Sequence, residues 1–167
     1  MPHSLPVSKL MISPHSWPQL RADAEVRDAI KLLRILSEDE KLEHGRSTPL
    51  VFDNDYNLVG LIRLTDLLQN VRHLCDQKEG ACDLGDAVKP IRELAKKFPG
   101  HVSPNDSILK ALDIMIDNSI TLVPVMDNGK LVGMLKLGDI FNTISSLLFD
   151  EENPSERSRI MKYLHIS

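Results

Sequence analysis

The sequence predicts an α/β (α+β) fold built from two copies of one β-α-β-β-α unit, packed as a pseudo-two-fold pair. Three observations carry this. The segment Leu58-Val59-Gly60-Leu61-Ile62-Arg63-Leu64-Thr65-Asp66 returns as Leu131-Val132-Gly133-Met134-Leu135-Lys136-Leu137-Gly138-Asp139, a step of 73 residues at the glycine and again at the aspartate. A fixed internal offset marks two copies of one folding unit. Ahead of each copy runs an amphipathic helix pattern, with apolar residues three and four apart. Between the last two strands of the second copy, Asp127-Asn128-Gly129-Lys130 carries the Asn-Gly signal of a tight hairpin, whose central residues both need positive φ. A unit this small cannot cover both faces of its sheet alone, so the copies must pack on one another.

Taken in chain order, residues 1–18 form an N-terminal segment outside the repeat, and the first repeat spans 19–75. Gln19-Leu20 reads as its leading strand. Asp23 then caps a helix whose face carries Val26, Ala29, Ile30, Leu33 and Leu36. Hairpin strands follow at 50–52 and 58–62, and Thr65-Asp66 opens the second helix. Ala29 to Ala111 is a step of 82, so the first copy holds nine more residues than the second between helix and hairpin. Much of that excess is the insertion at 37–46, which lengthens the helix or adds an exposed loop. Residues 76–86, rich in Asp, Glu, Lys and Gly, link the copies.

The second repeat spans 87–149 and opens with a strand near His101-Val102. Ser103 is its expected N-cap and Pro104 its first helical residue, leading a face of Ile108, Leu109, Leu112, Met115 and Ile116 that stops near Asn118. The run 121–126 reads as a strand in which Pro124 needs an edge or unpaired position. Strand 131–135 returns, and Asp139 starts a helix over 140–149. In the tail, 150–167, Pro154 and Ser155 offer the start of a short amphipathic helix using Ile160, Met161 and Leu164; solvated tail and docked helix are equal readings.

Composition bounds the class. Only seven of the 167 residues are aromatic, so Leu, Ile, Val, Ala and Met must fill the core. A formal charge of −4 gives no general reason to bind nucleic acid or an anionic membrane. Residues 1–20 resemble neither a signal peptide nor a lipidation site, and no apolar run reaches membrane-spanning length, so no membrane insertion is expected. Two cysteines are too few for a disulfide scaffold and fit a reducing compartment; the expected localisation is cytoplasmic.

The ordered double occurrence of these elements resembles a tandem cystathionine-β-synthase (CBS) domain pair, or Bateman module. The matching residues are the helix alanines Ala29 and Ala111, then Pro49-Leu50-Val51-Phe52-Asp53 with Leu58-Val59-Gly60 and Asp66. In the second copy they are Val123-Pro124-Val125-Met126-Asp127 with Leu131-Val132-Gly133 and Asp139. The resemblance covers roughly residues 5–149. It implies regulation rather than catalysis: no catalytic cofactor, and an adenine nucleotide (AMP, ADP, ATP) or S-adenosylmethionine bound between the copies. It also implies a homodimer formed through the helices, acting on a separate, unidentified protein. The competing expectation is a ligand-free interaction scaffold.

For the ligand site, Asp66 and Asp139 stand at helix starts, where free backbone N–H groups hold a carboxylate able to accept both hydroxyls of a ribose. Each is equally readable as a helix cap. Nucleotide-binding members of the family usually carry Ser or Thr three residues earlier, where this chain has Arg63 and Lys136. A basic side chain there is either solvated or paired with phosphate, Arg in two-pronged fashion and Lys as a point charge. Thr65 keeps a hydroxyl beside Asp66, whereas Gly138 has none. For the base, Thr48, Pro49 and Leu50 in one copy and Leu122, Val123 and Pro124 in the other are candidate slot residues, or plain core strand.

Other chemistries find little support. His73, Cys75 and Cys82, with Asp76 or Asp83, match no common zinc spacing, so no metal site is expected. There is no phosphate loop of the G-x-x-x-x-G-K type and no nucleophile elbow. Asp66 and Asp139 make a poor acid–base pair, because the repeat gives them equivalent environments and such work needs unequal ones. Lys96-Lys97 and Arg157-Arg159-Lys162 are basic clusters without interleaved aromatics, so nucleic acid is not an expected partner.

Overall fold

The computed structural model describes residues 5–38, 48–72, 88–149 and 154–162. The insertion beyond residue 38, the linker 76–86 and the group His73, Cys75 and Cys82 fall outside the described residues. The first unit runs β1 (Gln19–Arg21), α1 (Val26–Glu38), β2 (Leu50–Phe52), β3 (Leu58–Leu61) and α2 (Leu64–Val71). The second runs α3 (Ile108–Asn118), β4 (Leu122–Asp127), β5 (Lys130–Lys136) and α4 (Leu137–Leu148), followed by a short exposed helix, α5 (Pro154–Met161). β1 pairs parallel with β2, which pairs antiparallel with β3. β4 and β5 form the matching hairpin, with Asn128 at φ 50° and Gly129 at φ 76°, the two positive φ values its turn requires.

The predicted leading strand of the second copy is reduced to one parallel bridge, Val102 to Val125. That bridge explains how Pro124 sits inside a hairpin. Val102 N–H donates to the Pro124 carbonyl and Met126 N–H donates to the Val102 carbonyl, so Pro124 turns its nitrogen away from β5 and the hairpin ladder loses no donor. Two predicted caps are corrected. α3 starts at Ile108, capped by Ser107 Oγ accepting from Leu109 N–H. Ser103 and Pro104 lie instead in a turn closed by Asp106, whose carboxylate accepts the Ser103 N–H. α1 starts at Val26, with Asp28 Oδ2 accepting from Glu25 N–H, while Asp23 pairs with Arg21. Of these two helices, only α1 has an acid in its first turn, Asp28, that reaches back to a free N–H; at α3 the hydroxyl of Ser107 supplies the start.

The N-terminal segment, expected outside the repeat, is part of it. Residues 5–12 lie along the second unit: Val7 N–H donates to Asp106 O, Ile108 N–H to Leu5 O, and Ile12 and Met134 exchange two backbone hydrogen bonds of 2.8 Å. Residues 89–96 do the same along the first unit. Val26 N–H donates to Lys89 O, Ile91 N–H to Ala24 O, and Leu61 and Lys96 exchange bonds of 3.0 and 2.9 Å. Each crossing segment plants one fully buried residue in its host's core, Val7 among Ala111, Met115 and Val123, and Ile91 among Ala29, Leu33 and Val51. Burying such a side chain contributes about 1.5–3 kcal/mol.

This crossing explains the glycines of the repeat. A Cβ on Gly60 would sit 2.2 Å from the Lys96 carbonyl oxygen, and one on Gly133 would sit 2.9 Å from Met11 Sδ. The position is small because a strand is laid against it. A third apolar cluster, Trp17, Leu50, Phe52, Leu122 and Met134, joins the two units.

Candidate functional site

Each unit presents the same corner: a strand end, a basic residue in extended backbone, and a helix with aspartate third. In the first unit Arg63 (φ −86°, ψ 152°) is the N-cap of α2. Asp66 Oδ2 accepts from the Arg63 backbone N–H at 3.1 Å and from Nε at 3.0 Å, and Oδ1 accepts from Nη2 at 3.0 Å. This is a backbone cap closed by a two-pronged guanidinium–carboxylate pair. Asp66 is buried, the one such charged residue among those described. Burial by itself pushes its carboxyl up, but the Arg63 hydrogen bonds and charge, with the charge of Lys96, outweigh that and hold it below the usual carboxylate range. The same pairing, first through the hydrogen bond and then through charge, raises the Arg63 guanidinium.

In the second unit Lys136 is the N-cap of α4 and Asp139 is third in the helix. Lys136 Nζ stands 3.8 Å from Asp139 Oδ2, and the Asp139 side chain is 32% exposed against 6% for Asp66. The equivalence expected of the two carboxylates therefore fails. A guanidinium can straddle a carboxylate and cover it, whereas a single ammonium on a flexible stem leaves it to water.

A cleft of about 400 Å³ opens beside Arg63, between the units. The first unit lines it with Thr48, Leu61 and Arg63, and the second with Ser119, Ile120, Thr121 and Leu122. The chain passing from one unit to the other supplies Lys96, Lys97, Phe98 and Pro99. Three cations and three hydroxyls face this space, with no acidic residue in its described lining. Ser119 reaches it from a left-handed turn (φ 52°, ψ 44°) that ends α3. Across Lys97, Phe98 and Pro99 lies a second, more open cleft of about 500 Å³, lined also by Leu58, Val59, Gly100, His101, Pro124 and Met126.

Of the residues singled out in sequence, the structure brings Thr48, Arg63 and Leu122 together in the first cleft and puts Pro124 in the second. Asp66 lies behind Arg63, and Thr65 is exposed on the first turn of α2. Leu50 and Val123 are fully buried core strand, and the Pro49 carbonyl accepts from Ile62 N–H. Lys136 and Asp139 belong to the other corner and are absent from the lining of both clefts. Sequence reasoning missed Lys96, Lys97, Phe98, Pro99, Ser119, Ile120 and Thr121. For the segment carrying Lys96 and Lys97 the sequence holds one faint signal, the recurrence of Pro6-Val7 and Leu10 as Pro90-Ile91 and Leu94, a step of 84; for Ser119, Ile120 and Thr121 it holds none.

A family model for the CBS domain matches residues 7–73 and again 91–146. The chain belongs to the CBS domain family. Both matches begin at the buried residue of a crossing segment, Val7 or Ile91, so the CBS unit includes the strand it lends to its neighbour. Among proteins of similar sequence, an uncharacterized 17.7 kDa protein from the bps2 3′ region of Acidianus ambivalens is 26% identical over 102 residues. That stretch covers 60% of this chain and only 56% of the relative. Among solved structures, CBSX2 in complex with AMP superposes with a TM-score of 0.60 at 22% identity, over 86% of this chain and 98% of that one. The cytosolic domain of the Mg2+ channel MgtE in complex with ATP gives 0.58 at 21%, over 80% and 46%. At these identities the likeness establishes the CBS-pair fold. Among the described residues, no helix is long and apolar enough to cross a membrane.

Proposed function

We propose that this CBS pair is a regulatory module that binds an adenine nucleotide in the Arg63 cleft and passes its occupancy to a separate protein. The observation that carries this reading is the lining: Arg63, Lys96 and Lys97 with Thr48, Ser119 and Thr121, around a space of nucleotide size and without a described acid. Such a set favours phosphate, since cations and hydroxyls donate while a nearby carboxylate would repel. Phe98, Pro99, Ile120 and Leu122 offer apolar surface for a base. The AMP-bound CBSX2 and ATP-bound MgtE structures support nucleotides as the ligand class. In this reading Asp66 acts by holding Arg63, because three donors already occupy its two oxygens. The chain works by binding rather than catalysis.

Association through the helices supports the route by which occupancy reaches a partner. Ile35, Leu64 and Leu68 on α1 and α2, and Leu109, Ile116 and Phe141 on α3 and α4, are all at least half exposed. These side chains form matching apolar faces that a second copy would cover, so a homodimer is part of the proposal.

The test is thermal unfolding with AMP, ADP and ATP. A ligand at about 100 times its Kd stabilises the native state by about 2.7 kcal/mol, which raises Tm by several degrees in a domain of this size. The shift should be largest for the compounds with more phosphates and should shrink in Lys96→Ala and Lys97→Ala. No shift with any of them at millimolar concentration leaves the alternative, a ligand-free scaffold whose oligomeric state ignores nucleotides.

A further inference from the structure

We infer that this chain holds one nucleotide and not two, because among the described residues Trp17 fills the place where the second cleft of the pair would lie. The inference rests on reading the Arg63 cleft as the nucleotide site. The two units supply matching walls. Leu61 bridges the crossing residue Lys96 and lies opposite Leu50 on β2, and Met134 bridges Ile12 and lies opposite Pro124 on β4. Thr48 stands two residues before Leu50, as Leu122 stands two before Pro124. The first set, Thr48, Leu61 and Lys96, is half-buried or exposed and lines an open cleft. In the second set, Met134 is 0% exposed, and Leu122, whose other side lines the Arg63 cleft, is 8% exposed. Both belong to the same apolar cluster as Trp17, with Ile12 packed against it.

The chain that delivers Trp17 differs from its counterpart. From the crossing residue to the bridge at the leading strand, Lys96 to Val102 is six residues, and the matching stretch Ile12 to Leu20 is eight. The surplus is taken up by a 3-10 turn at Pro14–Ser16, fixed by Ser13 Oγ accepting from His15 N–H and by Gln19 Nε2 donating to the Pro14 carbonyl. Trp17 follows at once and is 3% exposed. Its indole Nε1 is buried with no hydrogen-bond partner among the described residues. The ring's contribution here is apolar volume within the cluster of Leu50, Phe52, Leu122 and Met134. It replaces with apolar bulk what the other side leaves open and basic.

Titration calorimetry of the full chain with ATP tests this. The expected result is one site per chain, weakened about tenfold or more by Lys96→Ala, a loss of the size a desolvated phosphate contact gives, and unchanged by Lys136→Ala. Two sites per chain, or one site sensitive to Lys136→Ala and indifferent to Lys96→Ala, overturns it. No binding of ATP, ADP or AMP withdraws the nucleotide reading itself, a different outcome from a wrong count. Trp17→Ala, verified as folded by circular dichroism, is expected to gain a second site that Lys136→Ala removes. A folded Trp17→Ala protein that still binds one ATP overturns the role given to the ring. Should that variant fail to fold, the wild-type count and the two lysine variants decide.

Discussion

The corner of the first unit and the corner of the second are written with nearly the same residues and do different things. Arg63 covers Asp66 with three hydrogen bonds, whereas Lys136 stands 3.8 Å from a half-buried Asp139. Gly60 meets a backbone carbonyl and Gly133 a methionine side chain. One corner borders an open basic cleft and the other a cluster built around Trp17. The comparison teaches that a repeat transmits architecture faithfully and chemistry loosely. Positions that accept a crossing strand are constrained twice, while the groups around a ligand need to be right only once.

The sharpest way to break the comparison is at the glycines. Gly60→Ala drives a methyl group to 2.2 Å from the Lys96 carbonyl oxygen, an overpacking that should cost about 3 kcal/mol in urea unfolding. Gly133→Ala meets Met11, whose Sδ at 2.9 Å can swing aside although its Cβ at 3.0 Å cannot, and should cost less, about 1–2 kcal/mol. Equal losses would mean that the crossing strands are held alike on both sides.

Next come the aspartates. Asp66→Asn leaves a buried amide facing three donors and should cost about 2 kcal/mol. Asp139→Asn removes a long, partly solvated pair and should cost less than about 0.5 kcal/mol. The larger effect should also depend on pH. The Asp66 carboxyl is held below its unfolded value of about 3.9, so its contribution is complete above that value and is lost as pH falls through the lower folded one. The stability gap between wild type and Asp66→Asn should therefore stay constant from pH 7 to about 5 and close in stronger acid. A gap that widens on acidification would mean that the pair does not set this carboxyl.

The smallest expected effect is spectroscopic. Trp17 is the only tryptophan, and its cluster includes Leu122, which lines the Arg63 cleft. Nucleotide should shift its emission slightly in wild type and leave it unchanged in Lys96→Ala at the same concentration.

Most of the fold was legible because it rests on local signals repeated twice. Apolar spacing gave both first helices, Asn128-Gly129 gave the hairpin, and the step of 73 gave the pairing of units. The crossing segments were not legible from the step of 73 or 82, since their own recurrence at 84 rests on three apolar or proline positions and shows its meaning only when the chain exchanges partners. The helix starts were misplaced because each has a second start signal just downstream, Ser107 beyond Ser103-Pro104 and Asp28 beyond Asp23. For the candidate site, Arg63 and Thr48 were singled out, Arg63 where the family pattern has Ser or Thr and Thr48 as a base-slot residue. Lys96, Lys97 and Ser119 were not, since they reach the cleft from segments distant in sequence. The difference between Asp66 and Asp139 was hidden as well, because it depends on the reach of one guanidinium.

The most direct measurement is a crystal structure of the wild-type chain grown with ATP. The account expects one nucleotide per chain, its phosphates beside Lys96, Lys97 and Arg63 and its base near Phe98 and Leu122. A nucleotide seated at Lys136 and Asp139 instead, or crystals with both clefts empty at millimolar ATP, would contradict it.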